Sequence, residues 1–171
     1  GTAKDARVPA GCVDDRLVGL QDVMPTLLDL AGVSIPSMVE GLSMAGQRRR
    51  TTLYGECRED RSATRMVHDG RHKLIWYPAG NRVQLFDLAD DPREIHDRAS
   101  DPGYRQVRAR LEAALMAELN GGDLVWVKDG RLVGFDPGPF IPGLNRALSG
   151  QRGAHYPPPP VIQPGIVGMP G

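Results

Sequence analysis

The run "ATRMVHDGRHKLIWYP", residues 63–78, constrains the chain more than any other stretch. Two β-type segments flank Asp69-Gly70, a dipeptide in which both residues tolerate the positive φ of a tight hairpin turn. The second segment, 72–77, is apolar on both faces, with Leu74 and Trp76 alternating with Ile75 and Tyr77. A strand that must bury both faces belongs inside a sheet, so other strands have to flank it. "TTLYGE" (51–56) and "NRVQLFDL" (81–88) are the available partners. With short turns between these runs, an antiparallel order is the simplest threading.

The clearest helix is "DPGYRQVRARLEAALMAELN", 101–120. Asp101 is placed to cap it, Pro102 fits the first helical position, and Val107, Leu111, Leu115 and Leu119 fall on one face. The fold class is therefore α+β: a four-stranded, mainly antiparallel sheet packed by a C-terminal helix. A shorter helix is expected at 22–31, with Asp22 as N-cap, Pro25 in the first turn, Leu27, Leu28 and Leu30 as an apolar stripe, and Gly32 as the stop. A short strand, Arg16–Leu20, is expected to lead into it.

Between the sheet and the long helix lies "LFDLADDPREIHD", 85–97. Asp91 can cap a helical turn, Pro92 suits its first position, and Glu94 stands three residues after the cap, as in a capping box. The acids read first as turn chemistry, with a metal-ligand set of Asp90, Asp91 and Glu94 as the alternative.

Lys plus Arg and Asp plus Glu both number 21, so nothing in the net charge favours nucleic acid or an anionic membrane as partner. No apolar run approaches a membrane-spanning length. The chain opens on "GTAKDARVPAG" without a methionine and is expected to be part of a longer protein. Cys12 and Cys57 are expected to be free thiols. His68 and His72 have the spacing of a helical metal pair, but Asp69-Gly70 between them argues for a hairpin instead. The three arginines of "GQRRR" read as a solvated loop.

Past residue 120 a further hairpin, "DLVWVKDGRLVG", again turns on Asp-Gly. Residues 135–171 then hold nine of the fifteen prolines, and "YPPPPV" favours extended polyproline conformation. The organisation expected is 1–120 as one subdomain, including the helix near 22–31, and 121–171 as an extra hairpin with a Pro/Gly-rich tail.

Several motifs recur in one order. They are Asp22, "PTLLDLAG" (25–32), "GLS" (41–43), Arg65 with Lys73 and Ile75, and "QLFDL" (84–88) followed by "ADDPRE". Together they resemble the C-terminal part of a sulfatase, of the alkaline phosphatase superfamily, over about residues 15–120. The resemblance implies the C-terminal subdomain of an α/β sulfatase fold, with the 22–31 helix bound to a larger parallel-sheet domain. It implies sulfate-ester hydrolysis for the parent protein, with a sulfate ester as substrate. Such enzymes carry a formylglycine, made from the Cys or Ser of a Cys/Ser-x-Pro-x-Arg motif, beside a calcium ion held by Asp and Asn side chains. Neither Cys12 in "GCVDD" nor Cys57 in "ECRED" fits that motif, so the nucleophile and calcium ligands are expected in an N-terminal catalytic domain outside this chain.

The resemblance also places the loop after the first strand near the active-site mouth. Glu56 and Arg58 are therefore the candidate substrate-binding residues, and Arg58 or Arg65 could meet a sulfate or an acidic substrate group. The plainer reading is surface arginines on a loop and a hairpin. A phosphodiesterase or phosphonate hydrolase on the same scaffold is one alternative, and an interaction module using the proline-rich tail is another.

Overall fold

Four strands form between residues 53 and 87 in the computed structural model of the chain, which describes residues 7–8 and 11–138. They are β1 (Leu53–Cys57), β2 (Thr64–His68), β3 (His72–Tyr77) and β4 (Arg82–Asp87). Each pairs antiparallel with the next, in the order β1-β2-β3-β4. The doubly apolar strand lies inside the sheet, as expected, but only one of its faces is buried; Ile75 and Tyr77 on the other are half-buried. Leu74 and Trp76 of β3, Val67 of β2 and Leu85 of β4 are fully buried on one face.

A helix covers that face. Asp101 accepts a hydrogen bond from the Gly103 N–H, Pro102 opens a single 3-10 turn, and α2 runs from Arg105 to Glu118. Leu111, Leu115 and Leu119 close the core, while Val107 packs at its margin. The outer edge of β4 is occupied by the chain itself. The Arg98 N–H donates to the Leu85 carbonyl, and Asp97 accepts from the Leu85 N–H.

The β2–β3 turn is shifted by one residue from the dipeptide expected to make it. The Asp69 N–H donates to the His72 carbonyl, so Gly70 and Arg71 are the central pair and only Gly70 has positive φ, at 96°. Asp69 instead uses its carboxylate, which accepts from the Arg71 and His72 N–H groups and pairs with Arg110 of α2. In the later hairpin of β5 (Val127–Lys128) and β6 (Arg131–Leu132), Asp129 and Gly130 are both left-handed, at 50° and 68°.

The shorter helix, α1, spans Val23–Leu30 and ends before Gly32 at φ +70°. Three expectations around it change. Residues 16–19 form no strand, because no strand among the described residues lies beside them to satisfy their backbone. Asp22 does not cap α1; its carboxylate accepts from the Gly19 and Leu42 N–H groups and pairs with Arg50. The apolar stripe is also rotated. Leu27 is exposed and Leu28 and Leu30 only half-buried, while Pro25 and Thr26 face inward.

The loop after α1 is fitted to it. Ser43 donates to Asp29, the Thr26 hydroxyl accepts from the Met44 N–H, and a Cβ at Gly41 would overlap the Gln21 carbonyl. Glycine is obligatory there because the two backbones touch.

No helix forms in 85–97, only two isolated turns closed by the Asp91 N–H on the Asp87 carbonyl and the Glu94 N–H on the Asp91 carbonyl, and Glu94 does not reach back to a cap with its side chain. It stands at φ +55° with its carboxylate on Lys73 of β3. Asp91 does hold the turn, accepting from the Ile95 and His96 N–H groups at 2.8 and 2.7 Å. Asp91→Ala is expected to lower the melting temperature by about 2–4 °C, the shift that loss of one capping interaction produces in a chain of this size. Thermal unfolding followed by circular dichroism measures it, and an unchanged midpoint would remove Asp91 from the turn's support.

The segment after α2 returns to the sheet. Trp126 meets Trp76 edge-on with ring centroids 6.0 Å apart, and Val127 and Leu132 pack against the core. The Phe135 N–H donates to Pro78, and its carbonyl accepts from the Gly80 N–H. The proline-rich stretch from residue 139 onward lies outside the described residues.

Candidate functional site

Strand alternation puts Arg65 on the same face as Val67, pointing toward the core. A guanidinium there has to be neutralised and fully hydrogen-bonded. Asp123 does this as a fork, accepting from Nε at 2.5 Å and from Nη2 at 2.8 Å. Nη1 donates to the carbonyls of Arg58 and Thr64, at 3.0 and 3.1 Å. Arg65 is only 3% exposed. Its donors are committed to the protein, so it is not a group waiting for an external anion.

Glu56 and Arg58 lie beside it, at the end of β1. The Glu56 carboxylate is exposed, accepts from the Tyr54 hydroxyl at 3.1 Å and lies 3.8 Å from Arg65 Nε. Burial first, and then the bond to Glu56, raise the Tyr54 phenol well above its ordinary pKa, so it donates at neutral pH. Arg58 is exposed and stands at φ +60°. For a residue with a Cβ this costs on the order of 1 kcal/mol, and the bond from Arg65 to its carbonyl helps hold it.

These groups line an open cavity of about 530 Å³. Its lining comes from two segments, the end of β1 with Arg65 (Glu56, Arg58) and the stretch after α2 (Asp123, Trp126). The two predicted residues are thus brought together. Asp123 and Trp126 were not found by sequence reasoning. The available signal was Arg65 itself, since an arginine in phase with buried apolar neighbours requires a carboxylate from somewhere.

The other motif residues serve the scaffold. Lys73 holds Glu94. Asp87, buried at the end of β4, accepts from Arg71 and from the Tyr104 hydroxyl. The Arg71 guanidinium, helped by Tyr104 against the opposing effect of burial, holds the Asp87 carboxyl down to about 2. His72 sits between Asp69 and Asp87, at 3.4 and 3.6 Å, and His68 points to the opposite face of the sheet.

The described residues do not fit a formylglycine or a calcium ion. Cys12 and Cys57 are free, exposed thiols, each without the proline two positions on that the motif needs. Asp22, Asp69, Asp87 and Asp123 are each committed to an arginine. Among the described residues no group of three or more His, Cys, Asp and Glu side chains is arranged to hold a metal. No described helix is long and apolar enough to cross a membrane.

A four-stranded antiparallel sheet packed by one helix is the architecture of C-terminal sulfatase subdomains. A solved structure titled as a 2-O GAG sulfatase superposes with a TM-score of 0.56 at 29% identity, covering 63% of this chain and 26% of that one. The family model described as N-sulphoglucosamine sulphohydrolase, C-terminal, matches residues 4–120, and the chain belongs to that family. It is 33% identical over 117 residues to an arylsulfatase of Clostridium perfringens, covering 65% of this chain and 24% of the relative. It is also 32% identical over 105 residues to a Delta 4,5-hexuronate-2-O-sulfatase of Bacteroides thetaiotaomicron, covering 55% and 22%. The chain thus spans less than a quarter of the length of these relatives.

Proposed function

We propose that this chain is the C-terminal subdomain of a sulfate-ester hydrolase. In this reading it contributes scaffold and part of the substrate-facing rim, and a preceding catalytic domain supplies the nucleophile and metal ligands. The observation that carries the proposal is the family match over residues 4–120, and the rim reading is supported by a cavity that Glu56 and Arg58 line together with Arg65 and Asp123.

Chemically, the rim offers an exposed guanidinium and an exposed carboxylate. Arg58 can take an anionic or hydroxyl oxygen of the substrate, and Glu56 can accept from a hydroxyl. Their expected contribution is to choice among sulfate esters.

The test uses the enzyme assembled with its catalytic domain. Arg58→Ala and Glu56→Gln are each expected to change the ratio of kcat/KM between two sulfate esters by about tenfold. The melting temperature should stay close to that of the parent, because both side chains are exposed. Unchanged ratios for both variants across aryl and sugar sulfates would remove them from the rim.

A further inference from the structure

The cavity that Glu56 and Arg58 line is also lined by residues within 120–126, most of which lie beyond the matched residues 4–120. That segment is firmly seated. Trp126 packs between Trp76 and Phe135, with Arg65 over its ring at 5.6 Å. Gly134 stands at φ +59°, where a Cβ would overlap the Pro78 carbonyl, so the returning backbone fits tightly against the β3–β4 turn.

Asp123 projects from this seated segment onto Arg65, 58 residues earlier in the chain. The same guanidinium donates to the Arg58 carbonyl and lies within ion-pair distance of Glu56. Both rim candidates are therefore tied to one cation, and one carboxylate fixes that cation. Arg58 needs such a tie, because its left-handed backbone would otherwise relax. We infer that Asp123 is a positioning residue: through Arg65 it pins the loop 58–61 and sets where Arg58 and Glu56 stand at the cavity mouth.

The inference makes the segment after α2 a specificity element of this chain, acting without touching the substrate. It rests on the reading of Glu56 and Arg58 as rim residues for its functional consequence, but not for the pinning itself. The two can be separated by experiment.

Limited trypsin digestion of the 171-residue chain, with cut sites identified by mass spectrometry, reads the pinning. The quantity compared is cleavage after Arg58 and Arg61 relative to cleavage after Arg105 and Arg110 in α2, within one sample. Asp123→Asn is expected to raise that ratio about tenfold, and Asp123→Glu to restore it to within about threefold of the parent. A ratio unchanged in Asp123→Asn, whether both rates rise together through general unfolding or neither rises, overturns the inference. In the assembled enzyme, Asp123→Asn is expected to raise KM for the preferred sulfate ester with little change in kcat. A freed loop with an unaltered KM would uphold Asp123 as the pin while removing Arg58 and Glu56 from the substrate.

Discussion

Asp22→Asn is expected to destabilise the chain by about 3 kcal/mol at neutral pH, the lower part of the range for breaking a buried ion pair. Asp22 is 1% exposed and pairs with Arg50, whose side chain is 18% exposed. The same carboxylate accepts from the Gly19 and Leu42 N–H groups. Asparagine removes the counter-charge of Arg50 and, having one acceptor oxygen in place of two, leaves at least one of those N–H groups facing an amide. The 19–22 turn, α1 and the 41–50 loop are all joined at this point, so the loss should be cooperative.

The pH dependence follows from the same site. Burial alone pushes the Asp22 carboxyl up, but Arg50 and the two N–H groups outweigh it and hold the group down to about 2. A depressed folded-state pKa contributes stability that is complete above the unfolded value near 4 and disappears as pH falls through 2. That contribution is on the order of 2 kcal/mol. Urea unfolding at pH 7 and pH 3 should therefore show the parent losing stability on acidification, with a smaller loss in Asp22→Asn. Equal midpoints for parent and variant at pH 7 would show that the pair is dispensable.

The chain on its own is expected to be catalytically silent and to associate through α1. Leu20, Val23, Met24 and Leu27 recur at the spacing of one helical face and are 91%, 43%, 47% and 62% exposed. Burying a side chain of this size fully is worth about 1.5–3 kcal/mol, so a contiguous set of four is a strong driver of association. In the proposed parent this face is the contact with the catalytic domain. The isolated chain should bind a hydrophobic dye or self-associate, and should not hydrolyse an aryl sulfate with or without calcium. Supplying the catalytic domain, or the double change Met24→Gln with Leu27→Lys, should suppress the association. Light scattering and dye fluorescence read these results. Calcium-dependent turnover by a clean monomer of this chain would overturn the assignment of the chemistry to another domain.

The local signals in the sequence were sufficient for the four-stranded sheet and for α2. Alternation in 63–77, with apolar residues on both faces of 72–77, specified a central strand, because a period of two puts Leu74 and Trp76 together on the face that is buried. Asp101-Pro102 and the leucines at 111, 115 and 119 specified α2, because capping and a helical repeat act within a few residues. Glu56 and Arg58 were singled out only through the resemblance; the structure extends β1 to Cys57, so Glu56 belongs to the strand and Arg58 follows it.

What stayed hidden were the partners. Asp22 looked like a cap and is the anchor of Arg50; Glu94 looked like half of a capping box and belongs to Lys73; Arg65 looked available and belongs to Asp123. A short polar side chain has a nearby backbone donor to bind in any local conformation, so sequence reading assigns it there by default. In the fold Asp22 keeps one local donor, the Gly19 N–H, but each of the three charges also pairs with an opposite charge brought in from 21 to 58 residues distant. Residues 16–19 failed as a strand for the related reason that a strand is completed only by its neighbour. Local conformation was thus determined by the sequence itself, whereas the use of each charged group was decided by the packing that chose its company.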